Sequence, residues 1–352
     1  SHMTAEQFVR SSKAGEPAAT NAKPTKEKKA PSFPPAPEPL EVAVYDNHCH
    51  LEFEFDSELG VMPWQDNLDL AQSVGIKGVV QVGVTLESSK WCAELATKDK
   101  RVLAAVALHP NEAPLYETKE QLDVAIVEIA ELAKQPRVRA IGETGLDFFR
   151  TEGEDSIELQ RHSFEQHIRI AKENNIALMI HDREAHAEVV ETLKRVGAPE
   201  KVVFHCYSGD VDLAEICNDN GWYMSFAGNI TIKRNQHLRD SLAIARKELI
   251  LVETDAPFLT PEPYRGRPNA SYLVPITVRK MAEVRGVDVN EFAAQLTENT
   301  LRVYPNPAVD ELIIEGAPVG EVQLFDLLGR IVYAEALKTG QTHISLAGLP
   351  KG

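Results

Sequence analysis

The chain has 352 residues, with 53 acidic and 37 basic side chains and a formal net charge of −16. This charge excludes a broad basic surface that coats nucleic acid, but it permits an enzyme that meets phosphate at one metal-charged cleft. No apolar stretch approaches the roughly 20 residues that a membrane-spanning helix needs, and four cysteines without a CxxC pair indicate free thiols in a reducing compartment.

The first 40 residues contain seven prolines and a lysine-rich stretch, without apolar periodicity. This composition predicts a disordered arm over residues 1–40. Ser1-His2-Met3 resembles a cloning scar, and no apolar region of a secretory signal lies near the start. We therefore expect no export leader in this part of the chain.

From residue 41 to residue 303, short apolar runs alternate with amphipathic helical patterns. Eight runs predict buried strands, at Val42–Asp46, Gly78–Val84, Leu103–Leu108, Val138–Ile141, Ala177–Ile180, Lys201–Phe204, Trp222–Phe226 and Leu249–Val252. Eight strands with helices between them predict a (β/α)8 TIM-type barrel. An open doubly wound sheet is the alternative, but no GxGxxG motif follows the first strand.

Polar side chains stand at or just beyond the ends of these runs, namely His48, His50, Glu143, His181, His205 and Asp255. In a barrel, residues at the ends of different strands meet on one face and can form a metal site. Because strand side chains alternate, His48 and His50 point the same way and can grip one divalent ion. Glu143 can bridge two ions, and Asp255 can bind metal and accept a proton from the attacking water.

Two further carboxylates are predicted to support this site. Asp147 could cap a helix or accept a hydrogen bond from a ligand histidine, and Glu253 could act in the same supporting way.

Residues near the same rim are candidates for substrate binding. His109 ends the third predicted strand and could contact a phosphate oxygen or a base. Arg183, Arg265 and Arg267 carry the side chain that suits bidentate phosphate contacts. Tyr207 could stack on a nucleobase. Instead of contacting substrate, the arginines could simply be solvated and the tyrosine could pack in the core.

Five motifs, in the order DNHCHLEF, GETGLDF, MIHDREA, VVFHCYSG and ETDAPFLTPEPYRGRPN, resemble the TatD family of metal-dependent deoxyribonucleases. The resemblance covers about residues 44–303 and implies a (β/α)8 barrel similar to those of the amidohydrolase superfamily. It implies hydrolysis of DNA phosphodiester bonds, with single strands preferred and 3′–5′ exonuclease action. It also implies a cytoplasmic catalytic domain, and the sequence indicates no obligate protein partner.

Carried over position by position, the resemblance implies two ion sites that share Glu143. One would be formed by His48, His50, Glu143 and Asp255, and the other by Glu143, His181 and His205. Mg²⁺ is the ion expected from the family, while imidazole-rich ligands also suit Mn²⁺, Zn²⁺, Co²⁺ or Fe²⁺. Asp182 stands where Ser or Thr is common and Glu253 where Asp is common, and neither change removes a ligand.

Residues 304–352 have a different texture, with short alternating segments that predict strands at Glu311–Ile314, Glu321–Leu324, Arg330–Tyr333 and Thr342–Leu346. VYPNPAVDELIIEG, VQLFDLLGRIVY and ISLAGLPKG resemble the C-terminal sorting domain of the type IX secretion system. The resemblance implies a partial β-sandwich and export across an outer membrane. We hypothesise a fusion, natural or engineered, whose tail adds little to catalysis.

Two alternative functions remain open from the sequence. A hydrolase of the amidohydrolase superfamily could use the same ligands against a small amide, ester or phosphoester. A non-catalytic exported surface protein, with the barrel as a passenger, is the alternative from another class.

Overall fold

The computed structural model describes residues 32–305, 311–315, 320–325, 330–346 and 349. The chain divides into two compact units, Ser1–Pro305 and Asn306–Gly352. Val303 and Tyr304, on either side of the predicted boundary, are both buried.

Eight parallel strands form the centre of the first unit, each paired with the next in chain order. They are β1 (Val44–Cys49), β2 (Ile76–Val82), β3 (Val102–Val106), β4 (Val138–Asp147), β5 (Ala177–Arg183), β6 (Val202–Phe204), β7 (Tyr223–Phe226) and β8 (Ile250–Val252). Just beyond β8, the N–H of Asp255 donates to the carbonyl oxygen of His48, and the N–H of His50 donates to that of Ala256. These bonds join the last strand to the first and confirm the predicted TIM-type fold.

Helices connect the strands and surround them. They are α1 (Trp64–Ser73), α2 (Leu86–Lys98), α3 (Lys119–Leu132), α4 (Glu154–Asn174), α5 (His186–Val196), α6 (Val211–Asn220), α7 (Gln236–Ile244), α8 (Val274–Arg285) and α9 (Val289–Val303). Polar caps start several of them, because side-chain oxygens satisfy the free N–H groups of a first turn. Thr85 and Ser88 form a capping box at α2, and Thr118 caps α3.

The core lies between the sheet and the helices. Both faces of β3 are buried, as expected for a parallel strand covered on both sides. Val189 and Leu193, one turn apart on α5, are fully buried, with the charged side chains of that helix outside. Burial of these alternating apolar faces is what holds the polar strand ends together at one side of the barrel.

Two strands extend further than their apolar runs predicted. β4 continues beyond Ile141 to Asp147, and β5 continues beyond Ile180 to Arg183. Their pairing resumes at Thr144 and reaches the ends of both strands. The polar residues that follow the apolar runs are therefore held by strand hydrogen bonds, which position side chains more rigidly than a loop does.

Residues 32–40 correct the predicted disordered arm. Arg267 donates to the carbonyl oxygen of Ser32 over 2.9 Å, and Leu40 is only 7% exposed. A proline-rich extended segment suits this packing, because it has no internal hydrogen bonds and leaves its carbonyl groups available to donors. Residues 1–31 of the predicted arm lie outside the described residues.

The second unit contains antiparallel strand pairs. Its strands are β9 (Glu311–Glu315), β10 (Glu321–Phe325), β11 (Ile331–Ala336) and β12 (Gln341–Ser345), each within a few residues of its predicted position. β10 pairs with β11, and β12 pairs with β9. Over the described ranges of the chain, no helix has the length and apolar character needed to cross a bilayer.

Candidate metal centre

Six polar side chains converge at the carboxyl end of the barrel. They comprise His48 of β1 and His50 directly after it, Glu143 of β4, His181 of β5, and His205 and Asp255 just after β6 and β8. We call these six residues the strand-end cluster. The carboxyl ends of parallel barrel strands open on one face, so residues distant in sequence become neighbours there.

The two histidines of β1 face each other through their Nε2 atoms, which lie 3.1 Å apart. Nδ1 of His50 donates to the carbonyl oxygen of Val82 over 2.9 Å, so Nε2 of His50 presents a lone pair. Nδ1 of His48 lies 3.0 Å from the sulfur of Met179. The pair thus directs ring nitrogens at one point, as the alternation of β1 predicted.

Glu143 lies between two groups of histidines. Its Oε1 atom is 3.0 Å from Nδ1 of His181 and 3.2 Å from Nε2 of His205. Its Oε2 atom is 3.3 Å from Nε2 of His48 and 3.6 Å from that of His50. This is the geometry that a carboxylate needs to bridge two ions, one on each side.

Glycines on either side of Glu143 let β4 approach β5 closely. A Cβ atom on Gly142 would lie 2.4 Å from Cβ of Met179, and one on Gly145 would lie 1.9 Å from the carbonyl oxygen of His181. Gly145 also has a φ of 146°, which favours glycine. The glycines of the GETG motif therefore bring Glu143 within reach of His181.

Two carboxylates orient the histidines of the second group. Asp147 lies 2.9 Å from Nε2 of His181, and Glu253 lies 2.8 Å from Nδ1 of His205. These contacts confirm the supporting positions predicted for both acids. Burial lowers the pKa of His181, but the hydrogen bonds with Asp147 and Glu143 outweigh it and raise the pKa to about 9.

Asp46 is a part of the site that the sequence reasoning missed. It is fully buried in β1 and accepts hydrogen bonds from both the N–H and the hydroxyl group of Thr254, over 2.9 and 2.6 Å. Burial raises its pKa to about 6. Asp255 follows directly with a φ of 55°, so Asp46 anchors the turn that carries Asp255. The sequence did contain a signal for Asp46, because it lies two residues before His48 and four before His50 and therefore faces the same side of an extended chain.

The cluster meets the requirements for cation binding. Oε2 of Glu143 and Oδ1 of Asp255 are shielded from solvent and accept no hydrogen bond from any residue that the structure describes. Burying such oxygens without compensation is costly. Burial alone would raise the pKa of Glu143, but the electrostatic interaction with His205 and His109 and hydrogen bonds with His109 and His181 hold it well below its usual range. Mixed imidazole and carboxylate ligands around ionised oxygens fit divalent metal ions.

His109 lies inside the site. It is fully buried, and its Nδ1 atom accepts from the N–H of Asn111 over 3.0 Å. Its Nε2 atom therefore carries the proton and lies 3.3 Å from Oε1 of Glu143. Contact with substrate remains a prediction for His109, Arg183 and the exposed Arg265.

One predicted substrate contact was wrong. Tyr207 is 2% exposed, its hydroxyl group donates to the carbonyl oxygen of Asp210, and its ring packs against Phe226 in the core. It has no face to offer a nucleobase. The guanidinium group of Arg267 holds the carbonyl and hydroxyl oxygens of Ser32, and its contact with substrate stays a prediction.

An eight-stranded barrel with such a cluster at its mouth defines a metal-dependent hydrolase. The sequence model of the family described as TatD related DNase matches residues 45–305. The chain belongs to this TatD family. A second model, described as the secretion system C-terminal sorting domain, matches residues 302–352.

Individual relatives agree with this placement. An uncharacterized metal-dependent hydrolase TatD of Mycobacterium tuberculosis is 40% identical over 67% of this chain and 89% of its own length. An uncharacterized metal-dependent hydrolase YabD of Bacillus subtilis is 32% identical over 74% of this chain and 98% of its own.

Solved structures share the barrel. YjjV, a TatD homologue from Escherichia coli K12, aligns with a TM-score of 0.68 and 26% identity over 75% of this chain and 98% of its own. An organophosphorus hydrolase from Deinococcus radiodurans, with 16% identity over 75% of this chain and 93% of its own, shares the fold with a TM-score of 0.52.

Proposed function

We propose that this metal-dependent hydrolase cleaves phosphodiester bonds in DNA, with single strands preferred and 3′–5′ exonuclease action. The observation that carries the proposal is the position of Glu143, whose Oε1 atom faces His181 and His205 while its Oε2 atom faces His48 and His50. Paired ions suit in-line displacement at phosphorus, because they stabilise both the attacking and the leaving oxygen. The family name supports DNA as the substrate.

The strand-end cluster would hold two divalent ions that share Glu143. His48, His50 and Asp255 would complete one site, and His181 and His205 the other. Bound ions supply charge that polarises a phosphoryl oxygen and lowers the pKa of coordinated water. Mg²⁺ is the ion expected from the family, and the imidazole content also suits Mn²⁺, Zn²⁺, Co²⁺ or Fe²⁺.

Asp255 is the proposed proton acceptor. Its side chain is 15% exposed, against 2% for Glu143, so it can reach water at the barrel mouth. Burial raises the pKa of Asp255, but the contacts with His48 and His50 outweigh it and lower the pKa below its usual range. An ionised carboxylate at the mouth can accept a proton from the attacking water. Glu143 contributes by holding both halves of the cluster together.

A nuclease assay with labelled single-stranded DNA tests the proposal. Reconstituted enzyme is expected to release mononucleotides from the 3′ end, and the variants Glu143→Gln and Asp255→Asn are expected to lose this activity. Glu128→Gln is the control, because that carboxylate is exposed and pairs with Lys90 at the surface. Hydrolysis of a small amide or ester without nucleotide release would overturn the proposal. Bound metal without any hydrolysis would favour a non-catalytic surface protein.

We also propose that the barrel acts in the cytoplasm. The match of residues 302–352 to a sorting domain implies export instead. Fractionation of cells that express the full chain, and of cells that express a chain ending at Pro305, distinguishes the two. Recovery of only the full chain at the outer membrane would overturn the cytoplasmic proposal.

A further inference from the structure

Two arginines lie side by side next to the strand-end cluster. Arg183 is the last residue of β5, two positions after His181 and on the same face of the strand. Arg150 follows the end of β4, the neighbouring strand. The guanidinium carbons of Arg183 and Arg150 lie 4.0 and 5.1 Å from the centre of the Phe149 ring. One aromatic ring therefore holds two positive charges together.

Neither guanidinium group is neutralised. Across the residues that the structure describes, Arg150 and Arg183 make no side-chain hydrogen bond and no ion pair, and Nε and Nη2 of Arg150 are shielded from solvent. Arg101, Arg161 and Arg195, in contrast, each pair with carboxylates. In a chain with a net charge of −16, two adjacent arginines without acidic partners stand apart from this pattern.

This arrangement has an energetic cost that an anion would relieve. Shielded N–H groups without acceptors lose hydration, and adjacent like charges repel. Burial lowers the pKa of Arg150, and the charge of Arg183 lowers it further. Nη1 of Arg150 and the guanidinium N–H groups of Arg183 are not shielded in this way, so phosphate oxygens can reach these donors.

Asp147 fixes the arginines relative to the cluster. Its Oδ2 atom contacts Nε2 of His181 over 2.9 Å, and its Oδ1 atom accepts from the backbone N–H of Arg150 over 2.8 Å. The N–H of Phe148 donates to the carbonyl oxygen of Arg183 over 3.1 Å. One carboxylate and one strand pairing thus tie the two arginines to the histidine side of the centre.

We propose that Arg150 and Arg183 form a second phosphate site, which holds the phosphate adjacent to the scissile one in single-stranded DNA. This inference rests on the proposed nuclease function. An arginine pair beside the centre would engage the neighbouring phosphate of the same strand, while the strand-end cluster engages the phosphate that is cleaved. A substrate with only one phosphodiester group would then not use the arginines.

Binding of a fluorescent oligothymidylate to the metal-free enzyme tests the site without catalysis. Arg150→Gln and Arg183→Gln are each expected to weaken binding roughly tenfold to a hundredfold, the usual range for charge-assisted hydrogen bonds. Each should reduce the slope of log affinity against log salt by about 0.7. Arg195→Gln, which removes a surface arginine paired with Glu165 and Glu191, should leave the slope unchanged. Unchanged slopes in both test variants, verified as folded by circular dichroism, would overturn the inference.

Arg150→Lys distinguishes loss of a phosphate contact from a folding defect, because lysine keeps the positive charge but lacks the planar guanidinium group. It should restore the salt slope of the wild type but only part of the affinity. An affinity as low as that of Arg150→Gln, with the same reduced slope, would argue against a phosphate contact at this position.

Catalysis with a single-phosphate substrate separates this inference from the proposed function. With metal added, both glutamine variants should lose activity on the oligonucleotide but hydrolyse bis(4-nitrophenyl) phosphate within about twofold of the wild type. Equal losses on both substrates would place the arginines at the scissile phosphate and overturn the second site. Wild-type enzyme that binds the oligonucleotide through the arginines but cleaves neither substrate would overturn the nuclease function alone.

Discussion

Nδ1 of His205 donates a hydrogen bond to Oε2 of Glu253 over 2.8 Å, and this contact decides which ring nitrogen faces Glu143. With Nδ1 directed at Glu253, Nε2 is the ring nitrogen of His205 that points to the centre, 3.2 Å from Oε1 of Glu143. We propose that this nitrogen binds an ion and that Glu253 fixes the ring in the orientation that allows it.

Removing the charge of Glu253 should therefore weaken metal binding. Its other oxygen accepts from the N–H of Cys206 over 2.8 Å, so the amide group of Glu253→Gln cannot satisfy both donors. We expect the affinity for Mn²⁺ or Zn²⁺ to fall roughly tenfold to a hundredfold. Titration calorimetry measures this, with Glu128→Gln as the control. An unchanged affinity in a folded variant would contradict the orienting role.

Loss of the Glu143 carboxylate should reduce the number of bound ions. Glu143 faces both histidine groups, so Glu143→Gln weakens both ion sites at once. We expect fewer than two ions per chain after dialysis and a rate loss of roughly a hundredfold to a thousandfold. Elemental analysis measures the ion content. Two ions retained at wild-type affinity would show that Glu143 does not bridge them.

The buried His167 should make folding sensitive to acid. Its Nε2 atom accepts from the N–H of Leu108 over 3.0 Å, and its Nδ1 atom donates to the carbonyl oxygen of Ser163 over 2.6 Å. Both bonds need the neutral ring, and burial lowers the pKa of His167 to about 4. His167 lies on the buried face of α4 and is 0% exposed.

The sign of the pH effect follows from the unfolded chain, whose histidines titrate near 6.5. Between pH 6.5 and 4, His167 is protonated in the unfolded chain but stays neutral in the folded chain. Its contribution to the free energy of unfolding is therefore present above this window and is lost as the pH falls through it. We expect this group to contribute a loss of about 2 kcal/mol between pH 7 and pH 5. Urea unfolding of wild type and His167→Gln measures the difference. An equal pH slope in both, with the exposed His237→Gln as control, would refute it.

The barrel should be independent of the residues that follow Pro305. Tyr304 is 1% exposed and ends the buried face of α9. A chain that ends at Pro305 should therefore keep the melting temperature and metal content of the barrel. A chain that ends at Val303 loses the Tyr304 ring and should be less stable by roughly 3–5 kcal/mol. Loss of metal or nuclease rate in the longer of these two chains would assign the tail a part in catalysis.

Much of the fold was readable from local pattern. Apolar runs of strand length, separated by helical stripes, predicted all eight barrel strands, because a parallel strand must be apolar on both faces wherever helices cover it. The strand-end positions of His48, His50 and Glu143 followed from the same runs. Helical periodicity likewise indicates which face of an element lies inside, and Val189 and Leu193 lie on the buried face of α5.

Sequence patterns did not predict the surroundings of side chains whose position depends on a loop or on a partner that is distant in sequence. Tyr207 follows His205 by two residues, yet the turn after β6 directs its ring into the core. Arg267 binds the extended segment at Ser32, a residue that composition alone placed in a disordered arm. The apolar runs also underestimated the lengths of β4 and β5, because backbone pairing continues through the polar residues that follow each run.

The amino-acid sequence by itself determined the barrel, its strand order and the identity of the polar groups at its mouth, because these depend on residue type and short-range period. Only the tertiary structure decided which groups touch. The contact of His205 with Glu253, that of Thr254 with Asp46, and the sharing of Phe149 by Arg150 and Arg183 join residues from different elements. Such contacts depend on barrel closure and on the path of each loop, and no local pattern encodes them.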